Sequence, residues 1–455
     1  MKRTVKRLCA GALAAVLATG AISLTACGDK TETDAEGNVI VTMSLMNSTN
    51  ENPGWLAMID AANEVLKRDG EKVRIEAEII KTDSWDQYYT KVTSNMLGKI
   101  GGTIGRIAES HIPAMVDKRQ LADLTDVRDA LVATGEYDET AFGGVAEKDG
   151  AYFGLPTGTQ HMVMYYNKTI FDEYNAANPT AVIEYPSGDW NNASTFAEIL
   201  DASKKITDYY TGKGNKKFGL SAGPFLAYAG MYAKNSGGVN IFDDNGECKI
   251  DTQPFYDVYD WFTQMLVVDK SMPSTSDTQT LDAAARFLGG NIAMLIDGVW
   301  QMHDVCKYTE SYEIGIAAIP VADKKYASYT TTFTDRFWAA RNSRHPEEDK
   351  IALKALMSKE AITALGAKQI GGIPIRPDCR DNYFESIEGT KLAGYADVVK
   401  SGITNKANVP YTTYYNIVDQ QINQKMALWI NGTMSAKEFV DFMATTMRSG
   451  MEGKL

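Results

Sequence analysis

Residues able to do covalent chemistry are sparse in this chain. Its four histidines, His111, His161, His303 and His345, include no pair at the i, i+4 spacing that sets two metal ligands on one helix face. No metal site and no cofactor is therefore expected, nor a serine nucleophile of the G-x-S-x-G kind. Carboxylates are abundant, 58 in all. Two of them flanking a glycosidic bond would suffice for hydrolysis, but acids spread along a whole chain single out no pair.

Aromatic side chains next to expected loops are the more informative feature: Trp55, Trp85, Trp190, Phe225, Tyr228, Trp300, Phe337, Trp338, Tyr411, Tyr414 and Tyr415. A sugar presents apolar C–H faces and hydroxyl rims, so an aromatic plane flanked by amides and carboxylates is its matching surface. Against this stands the ordinary role of a large aromatic, which is core packing. Trp190, close to a helix cap at Thr195, and Trp429, inside a helix, are assigned to the core.

The elements that would position these side chains alternate in type. Val39–Met46 reads as a buried strand, and Trp55–Lys67 carries helical periodicity. In the next strand, Val73, Ile75, Ala77 and Ile79 share one face. Ser84-Trp85-Asp86-Gln87 has capping-box form, and Tyr88, Val92 and Met96 continue the stripe of a helix. Thr103–Ala108 supplies a third strand. The βαβαβ order predicts a parallel, wound α/β sheet. Thr195-Phe196-Ala197-Glu198 and Ser435-Ala436-Lys437-Glu438 open two further helices. Asp243–Glu247 superficially suggests a calcium loop, but Asn245-Gly246 is a strong hairpin signal and a hairpin is expected. Gly98–Gly105 fits no nucleotide fingerprint and reads as a helix-to-strand turn.

The amino terminus specifies an address. Lys2, Arg3, Lys6 and Arg7 precede an apolar run from Leu8 to Ile22, followed by small residues, which is the layout of an export signal. The run is too short to span a bilayer comfortably. Leu24-Thr25-Ala26-Cys27 resembles the lipobox of bacterial lipoproteins, which implies removal of residues 1–26 and acylation of Cys27. Two or more acyl chains anchor a protein stably, each buried CH₂ adding ~0.8 kcal/mol. Residues 27–38 read as a tether. Loss of the leader removes four cations and no acid, taking the net charge from −12 to −16. So acidic a chain is a poor partner for nucleic acid. About 430 residues remain, enough for two cores. Cys248, Cys306 and Cys379 are too few and too scattered for a disulfide framework.

Several segments, in order, resemble the extracellular solute-binding proteins of ATP-binding-cassette importers, in particular the maltose-binding-like group that takes carbohydrates. They are Gly154-Leu155-Pro156 with Met164-Tyr165-Tyr166-Asn167-Lys168; Lys204-Lys205-Ile206-Thr207, read as a helix end; and Phe287–Trp300, similar to the family's G-x-A-A-M-x-x-x-G-x-W segment. Ile319-Pro320, Phe337-Trp338-Ala339-Ala340 with Pro346-Glu347, and Gly371-Gly372-Ile373-Pro374 follow. Where relatives often carry Pro-Asp before the third strand, this chain has Gly102-Thr103.

The resemblance implies a periplasmic-binding-protein-like fold of two α/β lobes with a ligand cleft between them. The lobes would be discontinuous: 39–155 with 337–375, and 156–336 with 376–455. Carried over by position, the ligand contacts would be Trp300, Phe225, Gln160, Glu109 and one of Tyr411, Tyr414 or Tyr415. Chain spacing adds Trp55, Trp85 and the pair Asp335-Arg336, whose opposite charges could share one sugar's hydroxyls. Independently, ligands of open α/β sheets bind beyond the carboxyl ends of strands. The expectation is a monomeric, non-catalytic, lipid-anchored carbohydrate receptor at the outer face of the cytoplasmic membrane, serving the permease of an importer. The alternatives are a secreted glycoside hydrolase and a receptor for another solute, such as a peptide or polyamine.

Overall fold

The computed structural model describes residues 32–48, 51–82, 84–368, 372–407 and 411–455. The export signal, Cys27 and the start of the tether lie outside these residues.

Strand β1 (Val39–Met46) is followed by helix α1 (Asn52–Arg68), β2 (Val73–Ile80), α2 (Trp85–Gly98) and β3 (Ile104–Ile107). The hydrophobic stripe of α1 explains its placement: Trp55, Met58, Ile59, Ala62, Val65 and Leu66 are all buried. At the start of α2 the Ser84 hydroxyl accepts from the Gln87 amide, one half of the expected box. Lys99, in the left-handed region at φ 52°, ends that helix, and Gly101 at φ 75° completes the turn into β3. β1 runs parallel to β2 from Val39↔Val73 to Met46↔Ile80, and parallel to β3 on its other side.

Strand β4 (Leu155–Pro156) belongs to this first sheet, and β5 (Gln160–Asn167) opens the second. After α3 (Phe196–Gly212), β6 (Phe218–Ser221) and α4 (Leu226–Asn235), the second sheet gains β7 (Ile292–Gly298), β8 (Ile314–Ala317) and the short β9 (Thr332–Phe333). The chain then returns as β10 (Arg336–Ala339), which lies antiparallel between β3 and β4. Helices α5 (Pro346–Leu356), α6 (Lys359–Gly366), α7 (Tyr415–Ile430) and α8 (Ala436–Met451) complete the elements used below. The first sheet has the order β2-β1-β3-β10-β4 and the second β8-β5-β7-β6, with β9 on the early part of β5. Only the first three strands of the first sheet follow the parallel expectation. Both sheets are mixed, because the crossovers return antiparallel strands.

Two separate cores follow from this layout. One joins Val41, Met43, Ile104, Phe337 and Trp338 to Leu353 and Ile362. The other joins Met164, Leu220, Met294 and Ile316 to Trp190, Trp429 and Phe439. Leu155, Phe337 and Ile375 belong to the first core, whereas Met162, Val321 and Tyr383 belong to the second. Thr195 and Ser435 form complete capping boxes. α3 does not stop at Thr207 but runs to Gly212. Asn245-Gly246 sits in a turn closed by the Phe242↔Cys248 bridge, with the Asp243 carboxylate accepting from the Asn245 and Glu247 amides. Cys248, Cys306 and Cys379 are free thiols.

At Gly105 the sheet and its covering layer meet most closely. A β-carbon there would stand 2.5 Å from Trp338 Cζ2 and 2.7 Å from the Ser44 carbonyl oxygen. Trp338 is fully buried and cannot withdraw. Gly105→Ala is therefore expected to cost about 1–3 kcal/mol or more of unfolding free energy through overpacking, read by urea denaturation. The equivalent change at Gly135, whose surroundings are open but whose φ is 68°, measures the backbone penalty alone.

Candidate functional site

Groups that follow the parallel strands β1–β3 of the first sheet and β6–β7 of the second define the candidate site. From the first lobe come the segment after β1 with Glu51, the start of α2 with Trp85, and the turn Glu109–His111 after β3. From the second come Ala222–Phe225 after β6, Asp297–Gln301 at the end of β7, and the entry to α7. The lobes touch across this space: the Asn416 amide nitrogen lies 3.1 Å from His111 Nδ1. His111 stacks on Tyr89 at 4.7 Å, and burial lowers its pKa to about 4, so it is neutral at pH 7.

The centre of the first lobe's contribution is Arg106, which the sequence reading missed. It is the one charged residue of β3 and is only 5% exposed. Its Nη1 donates to Glu51 Oε2 at 2.7 Å and its Nη2 to Asp335 Oδ2 at 2.5 Å. The guanidinium lies 4.5 Å from the Trp55 ring centroid and 5.0 Å from that of Trp85. A lone cation in an otherwise apolar strand was the available signal.

The second lobe contributes a run of aromatic rings. Trp300 meets Phe333 edge-on at 5.8 Å, Phe333 meets Tyr228 at 6.1 Å, and Tyr228 meets Phe225 at 5.9 Å. Trp300 is half-buried and folds back over Gly298, where a β-carbon would lie 2.1 Å from its ring. Phe225 is 45% exposed. Beside them Asp297 accepts from the Gly298 amide at 2.7 Å and from Gln301 Nε2 at 3.0 Å. Burial nevertheless pushes its pKa up to about 6. Asp419 on α7 is also raised to about 6, by burial and by Asp86 across the cleft.

The other expected residues divide. Glu109 accepts from the Thr334 amide at 3.0 Å, stands 4.0 Å from Arg336, and is raised by burial to about 7. It lines a polar cavity of about 540 Å³ between the lobes together with Tyr411. Gln160 is buried where β5 pairs with Phe333 of β9. Trp85 is half-buried at the head of α2.

Three of the expected contacts are engaged in packing or ion pairs in the structure. Trp55 is 1% exposed, with Phe337 on its edge and Arg106 on its face, so its indole presents no plane to the cleft. Asp335 and Arg336 share no partner, because successive residues of extended chain point to opposite sides. Asp335 holds Arg106, whereas Arg336 donates to the Ala141 and Gly143 carbonyls and to the Tyr152 hydroxyl. Tyr414 packs on Gly450 of α8, where a β-carbon would meet its ring at 2.7 Å, and Tyr415 is a core residue. The sequence reading also passed over Gly219-Leu220-Ser221-Ala222-Gly223, which has nucleophile-elbow spacing between β6 and α4. Ser221 is buried at the strand end, and the cavity it lines contains no histidine to act as its base.

Two measurements test this arrangement. Arg106→Met leaves Glu51 and Asp335 without their counter-charge and should cost about 3–5 kcal/mol of stability, read by denaturant unfolding. The second concerns Glu109, whose folded-state pKa near 7 lies above its ordinary value of 4.5. Between those values the folded state binds more protons, so Glu109 makes stability fall as pH rises from about 4.5 to about 7. Glu109→Gln should remove that component, and the melting-temperature gain of mutant over wild type should grow across the interval. A pH-independent difference would refute the assignment.

Comparison with known proteins agrees with this architecture. The family model for bacterial extracellular solute-binding proteins matches residues 57–394. An arabinooligosaccharide-binding protein of Halalkalibacterium halodurans is 28% identical over 158 residues, 34% of this chain and 32% of the relative. A putative binding protein of Brucella abortus is 25% identical over 215 residues, 47% of this chain and 48% of the relative. The aligned regions thus span half or less of these relatives. An ABC substrate-binding protein of Listeria monocytogenes, solved with cycloalternan, superposes with a TM-score of 0.77 at 17% identity, over 91% of this chain and 99% of that one. A maltose-bound protein of T. maritima gives 0.72 at 16% identity, over 90% and 99%. With the match running through both lobes, the chain belongs to the bacterial extracellular solute-binding protein family.

Proposed function

We propose that this solute-binding protein takes a sugar or oligosaccharide between its lobes and delivers it to the permease of an ABC importer. The observation that carries the reading is the run Trp300–Phe333–Tyr228–Phe225 lying beside desolvated carboxylates, Asp297 above all. Rings supply planes for C–H faces, and a carboxylate held away from water is a strong acceptor for hydroxyls. Relatives whose names or bound ligands are arabinooligosaccharide, cycloalternan and maltose support the same ligand class. Burying even part of three rings, each ~150–250 Å², yields several kcal/mol at ~25 cal/mol per Å². That is sufficient for micromolar affinity, about −8 kcal/mol, after ordering costs. Closure around the ligand would present both lobes to the permease, the ligand selecting the closed state.

We further propose that the protein is held at the outer face of the cytoplasmic membrane by acylated Cys27, as a monomer. Among the described residues no helix is long and apolar enough to cross a membrane. Cys27→Ala should release the protein from the membrane fraction or block leader removal, as seen by fractionation and intact mass. A processed, membrane-bound mutant would refute the anchor.

A thermal-shift screen of the mature protein against mono- and oligosaccharides identifies the ligand, which should be recovered chemically intact after incubation. With that ligand, Trp300→Ala should weaken binding by about 2–4 kcal/mol, as truncation of a hot-spot ring does. The apo melting temperature should change little, since the ring is half-buried over Gly298. Calorimetric titration and apo melts on the one mutant decide the matter. Normal affinity with a large loss of apo stability would make Trp300 a packing residue.

A further inference from the structure

The edge of the first lobe opposite the candidate site carries exposed groups that ligand binding leaves unused. The site groups follow β1, β2 and β3, whereas the turn at 97–102 precedes β3, so the two lie at opposite ends of the parallel strands. In that turn Leu97 is 78% exposed and Ile100 63%, the two highest values for large apolar side chains among the described residues. Lys99, between them, is exposed in the left-handed conformation that ends α2. Arg344, exposed in the turn after β10, comes to the same place, because Asn342 Nδ2 donates to the Met96 carbonyl at 2.8 Å. Lys99, Ile100 and Arg344 line one surface hollow, in which Glu32 is the single acid. Arg74 and Lys350 of this lobe are held in ion pairs by Asp34 and Asp126, but among the described residues Lys99 and Arg344 make none.

Chain length and charge say what covers this patch. The Ile40 amide donates to the Glu32 carbonyl at 2.9 Å, and Thr103, just past the turn, donates to the Thr42 carbonyl at 3.0 Å. Residues 40 and 42 of β1 turn their backbone groups to the same side, so Glu32 lies beside the turn. Cys27 precedes Glu32 by five residues, which span at most about 18 Å when fully extended. Acylation of Cys27 would therefore keep this edge close to the lipid headgroups. Without its leader the chain carries −16 and as a whole is repelled by anionic lipid. Contact with such a surface needs a face where free cations accompany apolar side chains, which is the composition found here.

We propose that Leu97, Lys99, Ile100 and Arg344 form a membrane-contact patch that rests the anchored protein on the anionic headgroups of the outer leaflet. The candidate site, at the other end of the strands, then stays turned away from the bilayer and open to solute. This inference rests on acylation of Cys27 and goes beyond it, since a lipid tether alone sets no orientation.

The experiment replaces the acyl chains by a weak, measurable tether. The mature chain, with a hexahistidine tag in place of Cys27, is titrated with vesicles holding a fixed fraction of nickel-chelating lipid. The bulk lipid is either phosphatidylcholine alone or a 3:7 mixture of phosphatidylglycerol and phosphatidylcholine. The tether makes patch contact intramolecular, so the strength of that contact appears in the apparent Kd. On the anionic vesicles wild type should bind on the order of 10-fold tighter than Leu97→Ser/Ile100→Ser, and tighter than Lys99→Asn/Arg344→Gln by a similar factor. The second difference should shrink on phosphatidylcholine and in 0.5 M NaCl, where exposed charges are screened. All four side chains are exposed, and asparagine tolerates the left-handed position of Lys99, so both variants should keep the apo melting temperature. Equal Kd for wild type and both variants overturns the inference and leaves the anchor standing. A loss with the charge variant alone also overturns it, because attraction of a basic turn needs no seated apolar pair. Concentration-dependent dimers in sedimentation, abolished by Leu97→Ser/Ile100→Ser, would make a second copy of the chain the occupant and overturn it too. A processed, membrane-bound Cys27→Ala protein removes the anchor and this inference together.

Discussion

The buried guanidinium of Arg106 constrains more of this molecule than any other single group. A cation taken out of water is tolerable only with close counter-charges and satisfied donors. Here Glu51 comes from the segment after β1, Asp335 from the crossover into β10, and the cation itself from β3. Three stretches that are remote in sequence must therefore converge. Trp55 and Trp85 close over the guanidinium and exclude water from it. Asp335 precedes the strand that returns from the second lobe to the first, so the ion pair also ties the crossover to the wall of the cleft.

The second lobe meets that wall with a different chemistry. Its rings are arranged edge to face, and its acids are kept from water by the same packing that holds the rings. Desolvation raises Asp297, Asp419 and Glu109; Glu109 lines the cavity between the lobes, and Asp419 feels Asp86 of the other lobe. A carboxylate so placed gains when a ligand brings hydroxyl donors to it. The cleft is polarised as well: the first lobe offers a guanidinium held between two carboxylates, the second an aromatic run.

Local patterns were legible wherever a local cause was sufficient. The periodicity of Trp55–Lys67, the alternation of Val73–Ile80, the boxes at Thr195 and Ser435 and the turn at Asn245-Gly246 all correspond to observed elements. They depend on neighbours within a few residues. The antiparallel strands that make both sheets mixed were not legible, because they pair with strands more than a hundred residues away in sequence. Trp55 shows the same limit at the level of one side chain. It follows β1 as a ligand-contacting residue would, yet the helix it begins turns its ring inward onto Phe337.

By itself the sequence determined the α/β class, the order of the first elements, and the short motifs whose family likeness implied two lobes and singled out the segment of Trp300. These follow from periodicity, capping chemistry and short motifs, all of which are local and survive without a partner. Only the tertiary structure decided which charges neutralise one another, which tyrosine of the late cluster lines a cavity, and which tryptophans keep a free face. Arg106 meets Asp335 across 229 positions, and His111 meets Asn416 across 305. Contacts of that separation carry no periodic signal, because they are fixed by how whole lobes pack and how far each group is removed from water.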